Sequence, residues 1–443
     1  MKQDNWSGRR LHFVGIGGAG MSGLALVSKA LGARVTGSDR TESSYTERLR
    51  EQGIEPKIGH DAANVPADAE VVYSTAVPAD NPERRAAVGR ELHRADLLGQ
   101  IAALRRCLAV TGTHGKTTTV GMVVQALRGA GLDPSYVVGG ELRDTGLNAG
   151  WGRGEWIVVE ADESDRSLLK LDPEIAVLTS AELDHHATYR SLAELEDTLR
   201  EFMTRARRAV VWNRPRLRAL CPAEAIPYDA PRPQLSADGA RFRWRELEVE
   251  LSVPGAHNAV NAAGALTAAA LAGADPVRAV AALHDFAGAR RRLERLGDTA
   301  AGASVYDDYA HHPTEVAAAI AAARTLTTGR LIAVFQPHLF SRTAALGREF
   351  GQALAPADII AVLDVYPARE RAEDFPGVDG RLVAAAAADA ADGRRVAWLP
   401  AFGDAGQFLE STLRGGDLCL LMGAGNVDAL GRALVGLAAP ASN

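Results

Sequence analysis

The chain has 443 residues, a length that spans two to four domains, and its 47% hydrophobic and 23% charged residues suffice for several buried cores. A formal net charge of -6 excludes the concentrated positive charge that nonspecific binding to nucleic acid or to an acidic membrane surface needs. Three scattered cysteines without a C-x-x-C pair, Cys107, Cys221 and Cys419, argue against a disulfide framework and a cysteine zinc site.

The opening "MKQDNWSGRR" lacks the apolar segment of a signal peptide, and no apolar run is long enough to span a membrane, so a reducing cytoplasm is the expected location. A first block, residues 1–100, starts with the strand "LHFVGIG", a helix from Ala19 to Leu31, and the strands "ARVTGSD" and "VVYST". Strands alternating with helices predict a parallel wound sheet. Between the first strand and helix, Gly15, Gly17 and Gly20 fit G-x-G-x-x-G, and Asp39 follows where an acid can meet a ribose. Taken alone, this loop points to a dinucleotide and an oxidoreductase.

The helix "DLLGQIAALRR" leads out of the first block, and the second block, residues 101–297, opens with the strand "CLAVTGT". Strands "EWIVVEADESD" and "IAVLTSAELDHH" follow, then the alternating "RFRWRELEVELSVPG", which predicts a small antiparallel piece, and the helix "HNAVNAAGALTAAALAGA". The third block, residues 298–443, repeats the α/β pattern through "SVYDDYAHH", "LIAVFQPH", "IIAVLDVYP", "VAWLP" and "LCLLMGAG". The Ala-rich run 384–391 reads as a surface helix, alanine being the best helix former.

The most specific chemistry lies in "TGTHGKTTT". A glycine-rich turn after a strand exposes N–H groups, and the helix that follows adds positive dipole charge. Lys116 can reach terminal phosphates and the Thr117 hydroxyl can ligate magnesium. Gly112 stands closer to Gly115 than the general G-x-x-x-x-G-K-[ST] spacing requires, so the G-K-T core and its strand–loop–helix setting carry the reading. With an ATP loop in the second block, the first glycine loop could hold any pyrophosphate: that of NAD, of FAD or of a UDP-sugar.

"VVEADESD" places Glu160, Asp162, Glu163 and Asp165 at a strand end, where ligands of wound sheets gather and where carboxylates beside ATP can hold magnesium. "ELDHHATY" brings Asp184, His185 and His186 to the same sheet edge. In the third block "DDYAHHPTE" carries Asp307, Asp308, Tyr309, His311 and His312, and "FQPHLFSRT" carries His338 and Arg342. The run Arg290, Arg291 and Arg292, between the second and third blocks, can neutralise a phosphate.

These motifs in this order, with "GAHNAVNA", "LDVYPARE" and "GAGN", resemble the Mur ligase family along essentially the whole chain. The resemblance implies three domains: a Rossmann-like domain for a UDP-sugar, a central ATPase domain of P-loop type, and a Rossmann-like C-terminal domain that meets the amino acid and part of the nucleotide. It implies an ATP-dependent, amide-forming ligase that joins L-alanine to the muramoyl carboxylate of UDP-N-acetylmuramate through an acyl phosphate, acting as a monomer or homodimer. Gly15, Gly17, Gly18, Ala19, Gly20, Met21 and Ser22, with Asp39 and Ser74, then serve the UDP-sugar rather than NAD. Gly112, Thr113, His114, Gly115, Lys116, Thr117 and Thr118 take the ATP phosphates, and Asn258 and Asn261 the adenine. Arg291 and Asp308 meet phosphate and ribose, and Tyr309, His311 and Arg342 the amino acid or acyl group. Two Mg²⁺ ions are expected, one at Thr117 and one at Glu160 and His185. Lys116, Glu160, His185, Arg291, His311 and Arg342 form the expected catalytic set.

Four positions depart from the family's usual pattern: Ser180 in place of Asn, Ala187 in place of Asp, Arg290 in place of Gly, and Leu339 in place of an Arg found in some members. Glycine or serine in place of alanine, and a non-catalytic UDP-sugar-binding paralogue, are the alternative readings.

Overall fold

In the computed structural model, which describes residues 6–185 and 188–437, the chain forms three sheets that are wholly or mainly parallel, one per domain, and a small antiparallel sheet. His186 and Ala187 lie outside the described residues. The first sheet runs Lys57–Ile58, Arg34–Asp39, Arg10–Val14, Glu70–Tyr73, Glu91–His93, with every pairing parallel. After Arg10, the strand Arg10–Val14 is wholly buried, as helices on both faces of a parallel sheet require. The chain leaves this strand toward one side of the sheet and later returns on the other. The glycine loop lies at that switch, the place where wound sheets open a crevice.

The central sheet runs Ile226–Tyr228, Arg208–Trp212, Ile175–Leu178, Arg106–Thr111, Trp156–Glu160, Ser135–Val137, Ala149–Gly150, and only the last pair is antiparallel. Arg106–Thr111 sits at its switch point, in register with Glu160 through Val110 and with Leu178 through Thr111. The three strand ends that carry the G-K-T loop, the acidic run and the Asp184–His185 segment are therefore neighbours. The alternating stretch forms the expected antiparallel piece, Gln234–Ser236, Gly239–Trp244 and Leu247–Leu251. It buries Phe242, Trp244, Val249 and Leu251 in one core with the Ala-rich helix Ala256–Leu271.

The third sheet runs Glu294–Asp298, Ser304–Asp308, Leu418–Met422, Leu331–Phe335, Ile359–Val362, Arg395–Trp398. Its first strand is an antiparallel edge on Ser304–Asp308, so the sheet begins before the expected boundary at 298. That strand is half exposed and carries charge, with none of the apolar signal of its neighbours. The strands Lys57–Ile58, Glu91–His93 and Ala149–Gly150 were likewise illegible, because two or three residues show no alternation. Among the described residues no helix is long and apolar enough to cross a membrane. Cys107 and Cys419 are buried and unpaired, and burial pushes both thiols up to about 12.

The Ala-rich run forms the expected surface helix, Gly380–Ala390, exposed along one face and covered along the other. Val383, Ala384 and Ala387 are buried, and the helix packs closely on Phe340–Leu354 at Gly347 and Gly351. A Cβ on Gly351 would meet the Ala386 Cβ at 2.6 Å and the Ala387 nitrogen at 2.6 Å, both on a helix that cannot yield alone. Gly351→Val should therefore destabilise the protein by ~1–3 kcal/mol through overpacking, read as a lower denaturant midpoint; an unchanged midpoint would mean that the two helices separate at no cost.

Candidate active site

Two helix N-termini face one cleft, and neither has a side-chain cap. The first is Ala19–Ala30, with Gly18 at the N-cap. Gly15 takes φ 75°, and the Gly17 N–H donates to Asp39 Oδ2 at 2.8 Å. A Cβ at Gly17 would stand 2.9 Å from Asp39 Oδ2, Ser43 Oγ and Thr46 Cγ2, so only glycine fits. The second helix is Lys116–Gly129, with Gly115 at its N-cap at φ 80°. Orphan N–H groups and the positive dipole end make both loops receptive to anions.

The second loop rests on the segment 179–182. Gly112 takes φ 122°, and a Cβ there would meet Thr179 Oγ1 at 2.4 Å and the Ser180 backbone at 2.7 Å. The Thr179 hydroxyl donates to the carbonyls of Thr111 (3.0 Å) and His114 (2.6 Å), and the His114 N–H donates to Ser180 Oγ at 2.7 Å. Ser180 thus braces the loop directly, which gives that departure a structural role. Asn261 lies under the same loop, its Oδ1 2.6 Å from where a Gly115 Cβ would be. Asn258 donates to the Pro254 carbonyl at 2.7 Å, and both asparagines are buried behind the cleft wall.

Lys116 donates to Glu163 Oε2 at 2.8 Å and to the Gly112 carbonyl at 2.7 Å. Burial works against its charge, but Glu163, Asp162 and Glu160 outweigh burial and hold the ammonium above its ordinary value. The Thr117 hydroxyl donates to Glu160 Oε2 at 2.9 Å, and the same carboxylate accepts the Gly139 N–H at 2.8 Å. Burial pushes the Glu160 carboxyl up even so. His185, at φ 57°, places Nε2 3.4 Å from Glu163 Oε1 and 3.8 Å from Asp184 Oδ2. Buried Glu163 therefore joins Lys116 to His185. The sequence offered Glu163 only as one of four candidate magnesium ligands; its pairing with Lys116 had no signal, because no period assigns the residues after the buried strand Trp156–Glu160.

The third domain closes the cleft. Arg342 and Asp184, each 3% exposed, form a two-armed ion pair: Nε donates to Oδ1 at 2.9 Å and Nη2 to Oδ2 at 3.0 Å. Arg342 Nη1 reaches His338 Nδ1 at 3.1 Å, so all its arms are engaged within the protein. His311 lies 4.0 Å from Asp184, and burial lowers it to about 4 and His338 to about 3, which leaves both imidazoles neutral. Arg291 donates to Asp307 (3.0 Å) and to the carbonyls of Gly425 (2.9 Å) and Gly423 (2.8 Å). Arg291 and Arg292 lie on the Tyr309 ring, at 5.1 and 5.4 Å from its centroid. Asp308 gives both oxygens to backbone N–H groups, of Leu293 at 2.7 Å and Ala310 at 2.8 Å. Leu339 sits at φ 70° and donates its N–H to the Tyr366 carbonyl at 2.9 Å.

All three domains line one cleft of 1420 Å³. Gly15, Gly17, Gly18, Ala19, Gly20, Met21, Asp39 and Ser74 line it from the first domain, and Thr113, Gly115, Lys116, Thr117, Glu160 and His185 from the second. Arg290, Arg291, Tyr309, His311, Leu339 and Arg342 complete the wall. Gly112, His114, Thr118, Asn258, Asn261 and Asp308 stand behind it. Ser22 is buried away from it, bonded to Asn148 Nδ2 at 2.9 Å. The cleft exceeds the ~300–1,000 Å³ of a site for one small ligand, so several substrates can lie in it together.

Residues 10–106 match the Mur ligase family catalytic domain, residues 110–269 the Mur ligase middle domain, and residues 291–425 the Mur ligase glutamate ligase domain. The chain belongs to the Mur ligase family. It is 43% identical over 450 residues to a UDP-N-acetylmuramate–L-alanine ligase of Streptomyces griseus, covering 95% of this chain and 96% of that one. The ligase of the same name from Rubrobacter xylanophilus is 42% identical, over 96% of this chain and 99% of that one. The crystal structure of a UDP-N-acetylmuramate-alanine ligase from Thermotoga maritima superimposes with a TM-score of 0.83 at 26% identity, over 96% of this chain and 98% of that chain.

The Asp184–Arg342 pair joins the second and third domains. Burial raises the Asp184 carboxyl, but Arg342 above all outweighs it and holds the group well below its ordinary value. Its stabilisation is thus present above the unfolded value of about pH 4 and is lost as the pH falls through the lower folded value. Asp184→Asn should cost ~3–5 kcal/mol, because Arg342 is left buried and unpaired, and should flatten the acid side of the stability–pH curve. Calorimetry across the acid range checks both; a variant with the parent's stability and pH slope would show that the pair holds nothing.

Proposed function

We propose that the protein is an ATP-dependent ligase that joins L-alanine to the muramoyl carboxylate of UDP-N-acetylmuramate, making a peptidoglycan precursor. The carrying observation is the convergence of two uncapped helix N-termini, the Lys116–Glu163–His185 chain and the Arg342 anchor on one cleft. The full-length relatives that bear this activity in their names support the choice of substrates. The substrates are soluble nucleotides and an amino acid, which fits action in the cytoplasm.

A carboxylate does not acylate an amine in water, so it must first become a mixed anhydride with phosphate. The muramoyl oxygen attacks the γ-phosphorus, ADP leaves, and an acyl phosphate forms. The alanine amine then adds to the acyl carbon, the amide forms, and inorganic phosphate departs with the bridging oxygen. The chain's part is to bring anions together and neutralise them. The first loop's N–H groups take the UDP pyrophosphate, with Asp39 at the ribose. Lys116 exchanges Glu163 and the loop carbonyls for the γ-phosphate oxygens. Tyr309 and neutral His311 line the amino-acid side, and Arg342, held by Asp184, fixes His338 beside them.

Mg²⁺ fits the donors present. The Thr117 hydroxyl and the Glu160 carboxylate meet at 2.9 Å, both are oxygen donors, and a buried carboxylate gains from a cation beside it. We assign one ion to Thr117 and a second to Glu160 and His185. Such ions, when bound, neutralise charge on the transferring phosphoryl group.

The test is phosphate release from Mg-ATP with UDP-N-acetylmuramate and alanine, glycine, serine or no amino acid in parallel. Release that needs both substrates and is fastest with alanine is expected. Release with glycine or serine alone would move the specificity by the ~1–3 kcal/mol that a methyl can discriminate. No release in any arm would favour a UDP-sugar-binding protein without activity. Lys116→Ala should lower turnover by ~10²-fold or more, because a preorganised charge is lost from the transferring phosphoryl group; near-normal turnover would remove Lys116 from the mechanism.

A further inference from the structure

Behind the phosphate loop, three nitrogen and oxygen donors from two domains converge. His114 belongs to the loop, Glu182 to the segment that braces it, and His312 caps the third-domain helix Pro313–Leu326. His114 Nε2 lies 3.4 Å from Glu182 Oε2, and His312 Nδ1 lies 3.6 Å from the same oxygen. The two imidazole rings are 4.6 Å apart, and the three donor atoms lie within 4.8 Å of one another. We propose that His114, Glu182 and His312 form a binding site for a divalent cation of the zinc class, separate from the Mg²⁺ positions, which ties the phosphate loop to the third domain.

Tetrahedral zinc with bonds of about 2.0–2.1 Å sets its ligand atoms about 3.3–3.4 Å apart, close to the two separations seen here. Two imidazoles and one carboxylate match zinc better than magnesium, which prefers oxygen. His114 Nδ1 meets Glu315 Oε1 at 3.1 Å, the outer carboxylate that commonly fixes a ligating imidazole. With Nδ1–H donated to Glu315, Nε2 would turn a bare lone pair on the Glu182 carboxylate. That arrangement holds only if Nε2 carries a second proton or a cation. Burial opposes the proton, but Glu182 and Glu315 outweigh it and draw His114 up to about 9. His312 is already neutral, since burial lowers it to about 4, and its Nδ1 gives up only a 3.4 Å cap bond from the Thr314 N–H. Glu182 is 40% exposed along its side chain, which leaves a path of entry.

The experiment titrates Co²⁺, and separately Zn²⁺, into the full-length protein under excess Mg²⁺, which fills the oxygen-rich phosphate site. One equivalent of Co²⁺ with the intense visible absorption of four-coordinate geometry is expected. Calorimetry with Zn²⁺ in buffers of different ionisation enthalpy should show a proton released from His114 near neutral pH. His312→Asn, which keeps a helix cap, and Glu182→Gln should each weaken binding by ~10-fold or more, as loss of groups around a metal does. If His312→Asn fails to fold by its melting curve, Glu182→Gln decides alone. The proposal falls if the parent takes up no Co²⁺, or if both variants keep its affinity and spectrum. It also falls if Glu160→Gln, and not Glu182→Gln, abolishes the signal, which would place the cation at the phosphates.

Discussion

Lys116 is an ammonium largely shut off from water, its side chain 12% exposed, and the active centre depends on how its charge is kept. A charge out of water needs a partner, and the loop supplies Glu163 at 2.8 Å with a backbone carbonyl beside it. Glu163 can stand there only because the strand Trp156–Glu160 is paired with Arg106–Thr111, so that the acidic turn ends beside the phosphate loop. The same pairing brings Glu160 to Thr117. Under the proposed function the constellation suits exchange: an arriving phosphate takes over a cation that an internal carboxylate already holds charged.

The cleft is made by ion pairs between domains as much as by the sheets. Glu141, 4% exposed along its side chain, accepts from Arg48 of the first domain at 2.8 Å and from Arg290 at 2.9 Å. Arg290 and Arg48 therefore meet on one buried carboxylate, which ties the end of the second domain to the first. Arg94 reaches Asp165 at 2.6 Å, and Arg342 reaches Asp184. The pairs made by Arg48, Arg94 and Arg342 cross domain boundaries, and several of these side chains line the cleft. A pair with one member removed leaves a charge in a poorly hydrated place, so domain placement and site geometry are linked.

The long elements were legible in the sequence because their periods are strong. The apolar strands of all three sheets, the alternating antiparallel piece and the Ala-rich helix Ala256–Leu271 follow from residue pattern alone. The G-K-T loop was legible for a chemical reason: glycines at φ 122° and 80° and an uncapped helix N-terminus need those residue types in that order. The edge strand Glu294–Asp298 was not, since half-exposed charged residues pair through their backbone, which side-chain pattern does not report. The run 384–391 was legible as a surface helix, but alanine gives no sign of which face is covered; Gly347 and Gly351, far off in sequence, supply the contact.

By itself, then, the sequence determined the three α/β domains, both anion-binding loops, and the set of acids, histidines and arginines gathered at strand ends. Those features are local, because turn geometry, hydrophobic period and side-chain chemistry act over a few residues. Which partners meet was decided by the tertiary structure alone. Glu163 rather than Glu160 holds Lys116, Arg342 is spent on Asp184, Ser180 braces the loop, and Ser22 turns away from the cleft. Each of these contacts joins residues that are distant in the chain. Their distances are fixed by strand register and domain packing, and neither leaves a mark on the order of amino acids.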